Sequence, residues 1–286
     1  VLARLLVILH SLLPLLTLSR LVARVARFRG PGGLLIRAFA RMYSINTAEA
    51  AKPVPRGYAS LGDFFSRELK PGARIPEGGE ERVACPADGL LTQLGSISDA
   101  LLPEGKGIRY SMEQLLGGPR CAQPYKRGRF AVIYLRPSDY HRVHMPMSGQ
   151  LREIVYLPGR RLPVKPAVIK TMPSTLATNE RVALHFDTGD GKFCVVMVGA
   201  LNVGSISTAF GIRTDASVPE VRTRWRFPGP LGAKRNRGDY LAHFRLGSTV
   251  VLAATQGLAD WLPERREGEE VRCGQALGRR LSSAPN

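Results

Sequence analysis

The chain has 286 residues, enough for one large domain or two small ones, and carries 41 Lys and Arg against 23 Asp and Glu, a net charge of +18. That balance draws it to anionic surfaces, nucleic acid or acidic lipid headgroups. The basic excess is spread along the chain with no aromatic-interleaved basic motif, which argues against an RNA-binding module and leaves nucleic acid off the list of expected partners. Cys85, Cys121, Cys194 and Cys273 are scattered without a CxxC pair, a spacing that argues against a zinc site and a disulfide framework, so reduced thiols and no metal are expected.

Residues 1–29 read VLARLLVILHSLLPLLTLSRLVARVARFR. The apolar run between Arg4 and Arg20 is shorter than the about 20 residues of a perpendicular membrane span, and Pro14 would kink it. Arg20, Arg24 and Arg27 then recur opposite Leu21, Val22, Val25 and Phe28, and residues 34–43 put Arg37 and Arg41 opposite Leu35, Phe39 and Met42. Helices of this kind lie in the headgroup region of a bilayer. Two other readings compete. Arg4 with residues 5–18 resembles a secretory signal, against which stand the following arginine-rich helix and the lack of a small-x-small cleavage site. Alternatively the helices pack on the protein's own core, which leaves the basic stripe unexplained. Val1 in place of Met suggests a trimmed or alternatively started N-terminus.

A polar connection follows at 46–55, then a short helix at 61–69 in which Phe64 and Phe65 dock on a core. Another short helix is expected at 110–116. From about residue 82 the pattern is β-like, with strands expected at 89–97, 128–135, 149–157, 181–187, 192–198, 203–209 and 244–253, punctuated by Gly, Pro and Asp. Residues 211–243, with their Lys234-Arg235-Asn236-Arg237 run, read as a surface loop, and 282–286 as a disordered end. The expected fold is α+β. A membrane-associating amphipathic helical segment over 1–55 precedes a predominantly antiparallel β domain over 56–286 with a few short helices.

The run at 244–252 is broken by Gly247-Ser248-Thr249. By itself such a step reads as a turn or bulge. It also has a chemical reading, because glycine leaves its carbonyl sterically open. The Ser248 hydroxyl can attack the Gly247 carbonyl and convert the amide to an ester. Elimination then leaves a dehydroalanine, which hydrolyses to ammonia and an N-terminal pyruvoyl group. Such a keto group is an electron sink of the kind amino-acid decarboxylation requires. Two further segments carry titratable groups. Asp88 lies in Cys85-Pro86-Ala87-Asp88-Gly89, where it reads either as an Asx-turn residue or as a carboxylate that orients a histidine. His141 and His144 lie in Tyr134-Leu135-Arg136-Pro137-Ser138-Asp139-Tyr140-His141-Arg142-Val143-His144-Met145-Pro146. Their i, i+3 spacing could serve a metal on a helix, but no third ligand is evident and two prolines bracket the segment.

These three blocks together resemble the phosphatidylserine decarboxylases of the bacterial membrane-associated type. The likeness runs along nearly the whole chain. It includes Phe64-Phe65-Ser66-Arg67-Glu68-Leu69 with Pro71, Lys106-Gly107 with Tyr110-Ser111, Asn179-Glu180-Arg181-Val182, and Val198-Gly199-Ala200 before Val203-Gly204-Ser205-Ile206. The resemblance implies self-cleavage between Gly247 and Ser248 into a large chain 1–247 and a small chain 248–286 headed by a covalent pyruvoyl cofactor. It implies that this group forms a Schiff base with phosphatidylserine and releases CO2 to give phosphatidylethanolamine. Asp88 and His144 are then the pair that activates Ser248, and His141 assists decarboxylation or reprotonation of the substrate carbon. It further implies a homodimer of processed protomers, held peripherally or monotopically on the cytoplasmic face of the inner cell membrane by the anionic surface. Three positions depart from the family pattern: no His in 160–166, Leu176 in place of Phe, and Ala242 in place of Gly. A Ser-His-Asp hydrolase would favour a G-x-S-x-G elbow, which Leu246-Gly247-Ser248-Thr249 is not. For a basic lipid-binding protein without enzymatic activity, the three blocks would have no purpose.

Overall fold

The computed structural model describes residues 32–103, 109–169, 171–172, 174–200, 205–214, 221–228, 233–245 and 248–281. The expected helices within 1–29, the expected end at 282–286, and Leu246 and Gly247 lie outside the described residues.

One nine-stranded antiparallel sheet organises the molecule. Its strands are β1 (Gly89–Ser96), β2 (Arg129–Leu135), β3 (Gly149–Leu157), β4 (Arg181–Asp187), β5 (Lys192–Gly199), β6 (Thr223–Arg226), β7 (Lys234–Arg235), β8 (Ser248–Ala254) and β9 (Glu270–Val271). They run in the order β6-β3-β4-β5-β8-β2-β1-β9, with β7 also paired to β3. The middle strands are near-continuous apolar runs because both faces are covered. Every residue of β8 is buried, as is all of β5 beyond Lys192. β8 is zipped on both sides, Ser248 facing Leu135 and Gly199, and Leu252 facing Ala131 and Val195.

Two three-stranded sheets flank this one. Arg82–Ala84, Ala276–Arg280 and Ala259–Trp261 form the first; Ile206–Thr208, Tyr240–Phe244 and Arg142–His144 form the second. The architecture is therefore α+β, mainly antiparallel, with short helices at Leu61–Phe65, Met112–Leu116, Pro119–Ala122, Pro166–Ile169 and Thr175–Thr178.

Several sequence expectations need correction. The run at 244–253 is two strands: Phe244 ends one in a flanking sheet and Ser248 opens β8 in the main sheet. The stretch 211–243 is not simply a loop, since β6, β7 and most of Tyr240–Phe244 lie in it. Backbone pairing along the edge of β3 tolerates basic side chains, and Trp225 packs on the core, so hydropathy hid the strands. The helix expected at 61–69 stops at Phe65. Ser60 caps its start by accepting from the Asp63 N–H at 3.2 Å, and beyond it residues 68–70 pair with 49–51 in extended conformation. Phe64 and Phe65 are buried as expected.

The helix Gly32–Met42 divides its apolar residues. Ile36 is buried against Ile45 and Phe64, with Phe39 and Ala40 packed on the same small cluster. Leu34 and Met42 stay 68% and 73% exposed, and Leu35 is also exposed. Among the described residues no helix is long and apolar enough to cross a membrane.

Candidate active site

Ser248 is the first residue of β8 and is 0% exposed, yet among the described residues its Oγ has no hydrogen-bond partner. A buried hydroxyl left unsatisfied costs about 1–3 kcal/mol, and such an orphan in a native fold calls for a functional explanation. Its backbone is held firmly. The facing Gly199 donates its N–H to the Glu180 carbonyl at 2.8 Å, and its carbonyl accepts from Asn179 Nδ2 at 2.9 Å. Asn179 also bonds both the N–H and the carbonyl of Leu162, while Arg181 donates to the carbonyls of Leu115, Asn179 and Gln114. Asn179-Glu180-Arg181 is thus a clamp on the strand end beside Ser248, a role its sequence does not reveal.

His141 is fully buried and sits where Phe244 donates its N–H to the His141 carbonyl at 3.1 Å. Its Nδ1 lies 2.9 Å from the Asp139 carbonyl, which can only accept, so Nδ1 carries the proton and Nε2 carries a lone pair. Nε2 has no partner. Burial pushes the imidazole pKa down to about 3, against the pull of the Asp139 carbonyl, with the Arg67 charge adding a little. The ring lies against Phe65, centroids 3.9 Å apart. Arg67 donates to the Ser138 and Asp139 carbonyls through Nη2, and its buried Nε and Nη1 are unpartnered. Ser205, another buried orphan hydroxyl, accepts the Arg245 N–H at its carbonyl. Unsatisfied atoms of Ser248, Thr249, His141 and Ser205 therefore belong to residues flanking one place, the passage from Phe244 to Ser248.

Asp88 and His144 form a second group. Gly89, which sets the turn after Asp88, admits no side chain, since a Cβ there would meet the Tyr134 carbonyl oxygen at 2.4 Å. The Asp88 carboxylate receives Arg74 Nε at 2.8 Å on Oδ1, Arg74 Nη2 at 2.6 Å on Oδ2, and the Cys273 N–H at 2.8 Å on Oδ1. Arg74 also reaches Glu49 at 3.1 Å. His144 donates its backbone N–H to the Pro86 carbonyl at 2.8 Å. Its Nδ1 is 2.9 Å from the Gly238 carbonyl and its Nε2 3.0 Å from the Tyr140 hydroxyl.

The expected direct Asp88–His144 bond is therefore not made. A permanently charged guanidinium with a planar donor fork takes the carboxylate in preference to a neutral imidazole. Burial lowers the His144 pKa, and the nearby Asp88 charge opposes that through space. Beside Asp88 opens a cavity of about 430 Å³ lined by Arg67, Arg74, Arg136 and Arg272 together with Tyr140. Arg74 and Tyr140 were not singled out from the sequence, although Arg74 follows the quoted Leu69 and Pro71, and Tyr140 lies in the histidine block.

The family model for phosphatidylserine decarboxylase matches residues 61–279. The chain belongs to that family. Proteins named phosphatidylserine decarboxylase proenzyme are similar to it over almost their full length. The Marinobacter nauticus protein is 40% identical over 270 residues, covering 93% of this chain and 94% of its own. The Pseudoalteromonas atlantica protein is 40% identical over 266 residues, covering 91% and 92%. The Hahella chejuensis protein is 38% identical over 283 residues, covering 98% and 95%. The matched segment contains Asp88, both histidines, the clamp at Asn179 and the Gly247-Ser248 step.

Proposed function

We propose that this protein is a phosphatidylserine decarboxylase, a carboxy-lyase made as a precursor that cleaves itself between Gly247 and Ser248. The observation that carries this reading is the fully buried Ser248 with an unpartnered Oγ, first in the central strand of a chain of this family. The buried Ser248 with its unpartnered Oγ also fits a pyruvoyl group made from that residue. When formed, that group supplies an electrophilic keto carbon to the serine amine of the lipid and an electron sink as CO2 departs.

The chain's own residues divide the remaining tasks. Ser248 Oγ attacks the Gly247 carbonyl carbon, and its proton passes to His144 Nε2 once that nitrogen exchanges the Tyr140 hydroxyl for the serine. Asp88 favours the resulting imidazolium by its charge. His141, neutral at pH 7 with a lone pair on Nε2, takes a proton at that atom in transit and passes it to the substrate carbon. Residues 248–286 stay with the large chain because β8 is hydrogen-bonded on both edges and Cys273 N–H holds Asp88. The exposed Leu34, Leu35 and Met42, beside Arg37 and Arg41, together with the net charge of +18, support seating the protein on an anionic membrane surface, while the homodimer and the cytoplasmic face rest on the family resemblance alone.

Mass spectrometry of the purified protein tests this. The expected result is a fragment 248–286 without a free α-amino group, CO2 release from phosphatidylserine vesicles, and neither in Ser248→Ala. An intact chain that decarboxylates the lipid refutes the cleavage, and an intact chain that hydrolyses esters supports the Ser-His-Asp hydrolase instead.

A further inference from the structure

On the face of the main sheet remote from Ser248's strand end, three chemically distinct ligating side chains stand in one row. Glu153 on β3 faces His185 on β4, and His185 faces Cys194 on β5. Directly opposed residues on neighbouring antiparallel strands share a face of the sheet. Cys121, from the helix Pro119–Ala122, reaches the same row. We propose that Cys121, Glu153, His185 and Cys194 bind a thiophilic, four-coordinate divalent metal ion of the zinc class.

The donor spacings suit such an ion. One donor atom each from Cys121, Glu153 and His185 lie within 4.8 Å of one another. Cys121 Sγ is 3.7 Å from Glu153 Oε2, and Cys194 Sγ, which lies outside that close triad, is 3.9 Å from His185 Nε2. A tetrahedral zinc with bonds of about 2.3 Å to sulfur and about 2.0–2.1 Å to nitrogen or oxygen separates its donors by about 3.3–3.8 Å. Assembling all four donors therefore requires the Cys194 side chain to turn toward Cys121 and Glu153.

The surroundings also match. His185 Nδ1 lies 3.5 Å from the Tyr125 hydroxyl, whose oxygen can accept a hydrogen bond from Nδ1–H and leave Nε2 for the metal. Burial depresses the His185 pKa to about 4, so the ring is already neutral at pH 7. Burial raises both thiols, so metal uptake must release their protons. Arg224 and Arg226, each 3.6 Å from the other Glu153 oxygen, offset the surplus negative charge of two thiolates and a carboxylate. A cavity of about 320 Å³ bordered by Cys121, Glu153 and His185 supplies the way in.

The site is structural in this proposal. Cys194 pairs with Ala253 while Gly199 pairs with Ser248, and at about 3.4 Å per residue these two positions on β5 are roughly 17 Å apart. The local spacing of cysteines in the chain could not show it, because the four ligands come from separate elements.

The experiment titrates the full-length protein, purified with reductant and stripped of metal, with Zn2+ and separately with Co2+ against a chromogenic chelator. The expected outcome is one equivalent bound per chain, tightening as pH rises. Co2+ should show sulfur-to-metal charge transfer and tetrahedral visible bands. His185→Gln should weaken binding about tenfold or more, and the pair Cys121→Ser with Cys194→Ser should abolish the charge-transfer band. The proposal is overturned if the unaltered protein takes up no stoichiometric metal, or if binding is unchanged in those variants. Since the unaltered protein decides the first point, a variant that fails to fold does not shield the proposal.

Discussion

Replacing His141 by Gln should remove a defined part of the protein's acid sensitivity. In the folded chain the ring is fully buried and its pKa lies near 3, against 6.5 in the unfolded chain. Between those values the unfolded chain binds the extra proton, so stability falls as pH falls. The neutral ring's full contribution is present above pH 6.5 and is lost progressively toward pH 3. At about 1.36 kcal/mol per pKa unit, the difference amounts to roughly 2 kcal/mol at pH 5 and about 4 kcal/mol at pH 3. Total stabilities of 5–15 kcal/mol are usual, so one imidazole would take a large share. Glutamine preserves a donor for the Asp139 carbonyl and has no proton to gain. The assay is urea unfolding at pH 7 and pH 5 on a Ser248→Ala background, which keeps one intact chain. His141→Gln should shrink the loss between those two pH values by about 2 kcal/mol. An equal loss with and without the imidazole would refute the buried neutral assignment, and with it the free Nε2 on which the proton delivery rests.

Arg74→Gln strips Asp88 of its charged partner in a site where both side chains are 10% exposed. It should cost about 3 kcal/mol in urea unfolding; a cost well under 1 kcal/mol would show that the Cys273 N–H satisfies the carboxylate alone. Gly89→Ala drives a Cβ into the Tyr134 carbonyl oxygen. It should destabilise by about 1–3 kcal/mol and slow accumulation of the 248–286 fragment on a denaturing gel, because it displaces Asp88. Leu252→Ala removes a fully buried side chain at the centre of β8. A loss of about 2–5 kcal/mol is expected, and after cleavage the small chain should separate from the large one at lower urea in size-exclusion chromatography.

Candidate chemistry confined to neighbouring residues can be noticed in the sequence. The Gly247-Ser248 step, the carboxylate after Pro86-Ala87 and the two histidines between prolines need only local context to be noticed. Hydropathy likewise exposed β2, β4, β5 and the burial of Phe64 and Phe65, because a strand covered on both faces has no polar positions to spare. Tertiary structure alone decided who meets whom. An apolar run at 244–253 cannot announce that Phe244 and Ser248 belong to different sheets, since Phe244 and every residue of β8 are alike buried. The basic stretch before it hid edge strands whose pairing is made by backbone, to which side-chain pattern is blind. Asp88 meets Arg74 and Cys273 instead of His144, and Glu153 stands beside His185 and Cys194, through strand register between segments far apart in the chain. Register is set by long-range hydrogen bonding and packing together, so no window of sequence contains it.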